Sequence, residues 1–163
     1  MFTVGDYIVY GTDGICIVKD ISQIDIPGAP SGRTYYLLSP VGVRESKIYS
    51  PVDNTKVVMR KIISKEEAAE LLKKLDAIQE IPVTDDKVME QQYKEMIASC
   101  DLMQLFSLVK TIRKRQNKRI SEGKKITSTD DRYLRRAQEA ICSELMLALD
   151  KDREEVLELV SCL

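Results

Sequence analysis

The chain of 163 residues contains no histidine and no tryptophan. Without histidine it lacks the side chain that most often serves as general base or metal ligand near neutral pH. Catalysis would then rest on carboxylate, lysine or cysteine chemistry, and no such constellation is visible, which argues against an enzyme. The four cysteines, Cys16, Cys100, Cys142 and Cys162, are scattered and form no CxxC pair. Structural zinc needs ligands at short spacing, so no metal is expected, and the thiols are read as reduced and buried. No apolar run approaches the roughly 18 residues of a membrane helix. The opening Met1-Phe2-Thr3-Val4-Gly5-Asp6 lacks the basic and apolar regions of a secretion signal, so a cytoplasmic protein without membrane association is expected. Gly11 and Gly14 neither follow GxGxxG spacing nor open a helix. No dinucleotide fingerprint exists there, and no cofactor or small-molecule substrate is expected.

What the chain does have is a concentrated positive charge. The net charge of -1 conceals it: residues 110–136 hold 11 basic and 3 acidic side chains, residues 63–109 hold 5 and 10, and residues 137–163 hold 2 and 7. A basic patch of this kind attracts polyanions over a screening length of about 8–10 Å. The competing reading is a solvated helix face whose cations pair with Glu90, Glu95, Glu139 or Glu144.

Residues 1–62 read as strands and turns. Tyr7-Ile8-Val9-Tyr10 and Ile15-Cys16-Ile17-Val18 are short β-branched runs, with Gly11-Thr12-Asp13-Gly14 as a tight turn between them. Residues 21–26 alternate and end at a Pro/Gly-rich loop. Tyr35-Tyr36-Leu37-Leu38 forms a further strand, residues 45–50 another that Pro51 stops, and residues 57–60 close the sheet. Five short strands in this span predict a small β-barrel.

From Ser64 the period becomes helical. Ser64-Lys65-Glu66-Glu67 is a capping box. Leu71, Leu72, Leu75 and Ile78 make one stripe that runs until Pro82. Caps at residues 84–87, near Asp101 and at residues 127–130 open three more helices, and residues 151–162 form a short last one. The fold class is therefore α+β: a small five-stranded barrel over residues 1–62, then an all-α domain of about five helices over residues 63–163.

Val4-Gly5-Asp6-Tyr7-Ile8-Val9-Tyr10, Gly14 and the Tyr35-Tyr36-Leu37-Leu38 strand resemble the start of the CarD family of bacterial transcription regulators. Gln92-Tyr93-Lys94, Ala98-Ser99-Cys100-Asp101, Leu134-Arg135-Arg136-Ala137 and Glu144-Leu145 extend the resemblance over nearly the whole chain. It implies a Tudor-like N-terminal barrel that binds the β subunit of RNA polymerase. It also implies a helical domain that touches promoter DNA near the upstream edge of the transcription bubble, in a factor that acts on the open complex. In that family a tryptophan wedges into the minor groove shortly before the Tyr-Lys pair, and here Met89 takes that place. Gln91 and Gln92 stand where relatives carry arginine, which weakens phosphate contact.

The expected polymerase-binding residues are Arg44, Lys47 and Tyr49, on a strand edge able to add to a partner sheet. The expected DNA-binding residues are Met89, Tyr93, Lys94, Arg113, Lys114, Arg115, Lys118, Arg119, Lys124, Lys125, Arg132 and Arg136, most of them contacting phosphates rather than bases. The protein is expected to be monomeric. Two alternatives stay open: a polymerase adaptor with little DNA contact, and an RNA- or ribosome-binding protein that uses the same basic segment.

Overall fold

In the computed structural model the described residues are 1–25, 27–28, 31–43, 45–82 and 84–161. They form two compact units, Met1–Ile62 and Ile63–Leu163.

The first unit is an antiparallel sheet of β1 (Tyr7–Tyr10), β2 (Ile15–Gln23), β3 (Thr34–Pro40), β4 (Ile48–Pro51) and β5 (Met59–Lys61). The strand order is β4-β3-β2-β1-β5. Alternate residues of a strand face the same side. Ile8 and Tyr10, Cys16 and Val18, and Tyr36 and Leu38 therefore meet in one buried cluster.

Three expectations change here. The barrel is not closed by a ladder: β4 and β5 are edge strands, and the Ser50 hydroxyl donates to Met59 Sδ at 3.7 Å between them. Closure depends on the accumulated twist of the sheet, which no local run of residues encodes. Residues 15–18 and 21–23 belong to one strand, because the β2–β3 register shifts between Val18 and Asp20 and leaves Lys19 as an extra residue. That bulge bends β2. The strand expected over residues 45–50 starts only at Ile48 and takes in Pro51, opposite Tyr35, as its last residue. An edge strand tolerates proline because the missing N–H faces away from the ladder.

The β1–β2 connection is a 3₁₀ turn, Gly11–Asp13, closed by the Tyr10 N–H donating to the Gly14 carbonyl at 2.9 Å. Gly11 has φ +49°, and a Cβ there would stand 2.7 Å from Val57 Cγ1.

The second unit holds α1 (Lys65–Leu72), α2 (Asp86–Ser99), α3 (Leu102–Ser121), α4 (Ser128–Leu149) and α5 (Arg153–Leu159). Side chains cap every start. Ser64 and Glu67 make the expected box, Asp152 and Glu155 make a second, and Asp85, Asp101 and Thr127 accept from amides of the first turn. The first helix is shorter than its apolar stripe. It ends at Leu72, and a 3₁₀ turn over Leu75–Ala77 carries Leu75 and Ile78 into the core. The last helix also stops short of the expected span, and Cys162 lies outside the described residues.

The helical core centres on Phe106, Leu108 and Ile112 of α3 and Leu145 of α4, with Val156 of α5. Cys16, Cys100 and Cys142 are buried. Among the described residues no helix is long and apolar enough to cross a membrane.

Replacing Gly11 with alanine is expected to cost about 1–3 kcal/mol, from the left-handed backbone and the contact with Val57 together. Urea unfolding of the two proteins measures it, and an unchanged midpoint would mean that the turn relaxes freely.

Candidate nucleic-acid interface

Helix α3 carries two unlike faces. Leu102, Leu105, Phe106, Val109 and Ile112 are buried, while Lys110, Lys114 and Lys118 recur every fourth residue and so form one row. Residues 75–82 and 84–86 lie along this row as a strap fastened to α3. The Ser107 hydroxyl donates to the Gln79 carbonyl at 2.5 Å, and Lys110 Nζ donates to the carbonyls of Ile78 at 2.9 Å and Asp76 at 3.3 Å. The Ile81 N–H donates to Thr111 Oγ1 at 2.8 Å. Lys114 pairs with Glu80 at 2.7 Å and Arg115 with Asp86 at 3.0 Å. Strap and helix bound an open groove of about 930 Å³ that continues past Lys118 and Arg119 to Lys124.

These cations are not equally available. The Lys114–Glu80 pair is largely exposed, so it is worth at most about 1 kcal/mol and a phosphate can displace the carboxylate. Arg115 is only 16% exposed and also reaches buried Asp130 at 3.4 Å. Removing one partner of such a buried pair costs about 3–5 kcal/mol. Asp130 accepts in addition from the Tyr93 hydroxyl at 3.2 Å. Burial, then the charge of Asp130, holds that hydroxyl protonated well above the usual tyrosine range.

Three expected DNA contacts are corrected accordingly. Met89 and Tyr93 are each 1% exposed. With Ile97 they lie four residues apart on the core face of α2, so neither reaches a groove or a phosphate. Arg115 is committed to its two carboxylates. Of the two glutamines on that helix, Gln91 donates to Glu95 at 2.9 Å, and Gln92 buries its Oε1, which has no partner among the described residues.

The remaining basic residues are dispersed over separate faces. Lys118, Arg119, Lys124 and Lys125 gather where α3 turns into α4. There Arg119 Nε donates to the Lys125 carbonyl and the Lys124 N–H to the Arg119 carbonyl, both at 2.8 Å. Lys124 also pairs with Glu122 at 2.7 Å. Lys94 and Arg132 share Glu90, at 3.5 and 3.1 Å, and Arg132 lies over the Tyr133 ring. Arg135 pairs with Asp131 at 3.0 Å, and Arg136 is exposed beside it. Arg113 lines a different recess, with Gln138 and Leu157.

Of the four glutamates expected to neutralise the basic segment, Glu90 meets it through Arg132. Glu139 pairs with Arg153, and Glu144 accepts from the Ile63 N–H. Further carboxylates that meet the segment are Glu80, Asp86, Glu122, Asp130 and Asp131. The acidic excess of residues 63–109 was the available signal for the first two.

In the first unit, Tyr49 lies on edge strand β4 opposite Leu37 and is 45% exposed, with exposed Lys47 just before it. Arg44 lies outside the described residues.

Residues 2–63 match the family model of the CarD-like/TRCF RID domain, and residues 70–161 match that of the CarD C-terminal domain. No curated protein gives a match.

The raised Tyr93 hydroxyl has a testable sign. The folded state retains this proton where the unfolded chain, with tyrosine near pH 10, has begun to lose it. The stability it contributes is complete below about pH 10 and falls as pH rises above that. Tyr93→Phe should cost about 1–2 kcal/mol at pH 7 by leaving Asp130 short of a donor. The wild-type advantage should shrink above pH 10, and urea unfolding between pH 7 and 11 would refute this if the difference stayed constant.

Proposed function

Because the chain belongs to the CarD family of RNA polymerase-interacting transcription regulators, we propose that it is an accessory initiation factor, not an enzyme, with separate tasks for its two units. Residues 1–62 bind the polymerase β subunit. Residues 63–163 contact promoter DNA near the upstream edge of the bubble and alter the lifetime of the open complex. The observation that carries the reading is the free edge at β4 in the unit that matches the RID domain. An edge strand offers unpaired N–H and C=O groups to a partner strand, and Lys47 and Tyr49 supply the side chains that select it. Arg44 belongs to the same proposed contact.

Lys114, Lys118, Arg119, Lys124 and Lys125, along and beyond the groove, support the DNA half. They would act on phosphates, placing the protein without reading bases. Lys94, Arg132 and Arg136 would extend the contact across α2 and α4, and Arg113 would serve only DNA that reaches its separate recess. The strap favours a second reading, an adaptor with little DNA contact, because it occupies Lys110, Lys114 and Arg115. Open-complex lifetime on one promoter, with and without the protein, separates the two: an adaptor leaves it unchanged when the DNA is shortened on the upstream side.

Two outcomes are expected. Tyr49→Ala with Lys47→Glu should lower affinity for the isolated β subunit by about tenfold or more, as for an interface anchor, with the melting temperature unchanged; retained affinity in a folded variant would place the contact elsewhere. Glu80→Gln should release Lys114 and strengthen binding to duplex DNA at low salt. It should also steepen the log–log salt slope by up to about 0.9, the value for one more phosphate neutralised. An unaltered slope would mean that Lys114 does not meet DNA.

A further inference from the structure

The groove beside α3 is walled by the helix on one side and by the strap on the other, and its 930 Å³ falls within the range of small-molecule sites, about 300–1,000 Å³. Two exposed carboxylates already stand on cations along it. Glu80 of the strap meets Lys114, and Glu122, where α3 ends, meets Lys124, both at 2.7 Å. The hydrogen bond and charge of Lys124, then the charges of Lys118 and Arg119, hold the Glu122 carboxyl below the usual glutamate range. Three cations thus converge on one anion position, and Lys114 makes a second.

The two positions lie close together. Lys114 and Lys118 are four residues apart on one face of α3, about 6 Å along its axis. Arg119 is half-buried, and the Lys125 carbonyl fixes its Nε at 2.8 Å. An arginine held through Nε keeps its terminal nitrogens for phosphate oxygens. Exposed ion pairs such as Lys114–Glu80 and Lys124–Glu122 are weak. A phosphoryl group carries more charge and more acceptor oxygens than a carboxylate, so it can displace Glu80 or Glu122.

We propose that this groove binds a small ligand bearing a chain of two or three phosphoryl groups, with Lys114 at one end of the chain and Lys118, Arg119 and Lys124 around the other. A single phosphoryl group does not reach both positions. A long polyanion that follows the groove past Lys114 meets Asp76 and Asp86, which also line it, and is repelled there. A short chain avoids both. Inorganic polyphosphates and nucleoside polyphosphates share this chemistry. Half-buried Ile81 and exposed Pro82, next to Glu80 on the strap wall, offer apolar surface to a nucleoside. The site goes beyond the DNA-contacting reading and does not depend on it. Where both hold, the bound ligand withholds these four cations from DNA and lowers the affinity for it.

The test is isothermal titration calorimetry of the full chain with inorganic tripolyphosphate and, separately, with ATP. Saturable binding at a single site is expected. Lys114→Ala with Lys118→Ala, both at exposed positions, should weaken it by about tenfold or more, for the loss of charge-assisted contacts, with the melting temperature unchanged. Lys65→Ala with Lys73→Ala removes the same charge from α1, outside the groove, and should leave the affinity as it was. Glu80→Gln and Glu122→Gln each remove a competing carboxylate and should tighten binding. Tighter binding of ATP than of tripolyphosphate assigns the groove to a nucleotide, and the reverse order assigns it to the inorganic chain. No binding of either probe would overturn the proposal. Equal weakening by the two double variants would overturn it as well, since that reports only the attraction of an anion to scattered surface lysines. Duplex binding, measured alongside, keeps the readings apart. Tripolyphosphate binding without DNA binding removes the DNA reading alone, and DNA binding without tripolyphosphate binding removes the ligand site alone.

Discussion

The carboxylate of Asp130 is the point on which the helical unit turns. It is buried in the first turn of α4, accepts from Tyr93 of α2, and faces Arg115 of α3. A charge taken out of water in this way is costly unless it is paired and hydrogen-bonded. The N-terminal end of α4 adds a favourable dipole. Three helices must therefore stand in one arrangement for Asp130 to be accommodated. That arrangement fixes the rotation of α3, with Ile112 and Phe106 in the core and Lys114 and Lys118 along the groove.

A consequence is that positive charge on α3 is sorted by depth. Arg115 belongs to the fold. Lys110 and Lys114 belong to the strap, held by carbonyls and one exposed carboxylate. Lys118, with Arg119, Lys124 and Lys125, occupies the end of the hairpin that the strap does not reach. A count of basic residues treats these as one patch, whereas their exchange with a phosphate costs very different amounts. The positive charge left exposed is narrower than the basic segment and displaced towards the turn.

Much of the architecture was legible in residue patterns because it is local. The capping box at Ser64, the caps at Asp101 and Thr127, and the stripe from Leu102 to Ile112 each depend on neighbours within a turn or two. The fastening of the strap was not legible. It joins residues about 30 apart in sequence, and it works largely through main-chain carbonyls that leave no mark on residue choice. Met89 and Tyr93 were expected at DNA from the family resemblance alone, whereas their four-residue spacing equally suits the core face that they take. At Lys19 and Asp20 two charged residues interrupt an apolar run, and only the β3 register identifies the interruption as a bulge rather than a strand end.

The length of α3 has a geometric meaning for any duplex it lies against. Its 20 residues span about 30 Å at the helical rise. Along B-form DNA that distance corresponds to about nine base-pair steps at 3.4 Å each. Its capped start at Asp101 and its turn at Glu122 are separated by nearly one turn of a duplex. A helix aligned with the DNA axis would bring its two ends to nearly the same face of the double helix. Contacts made from those two ends would fall about nine base pairs apart, a spacing set by hydrogen-bond geometry inside the protein rather than by any base it touches.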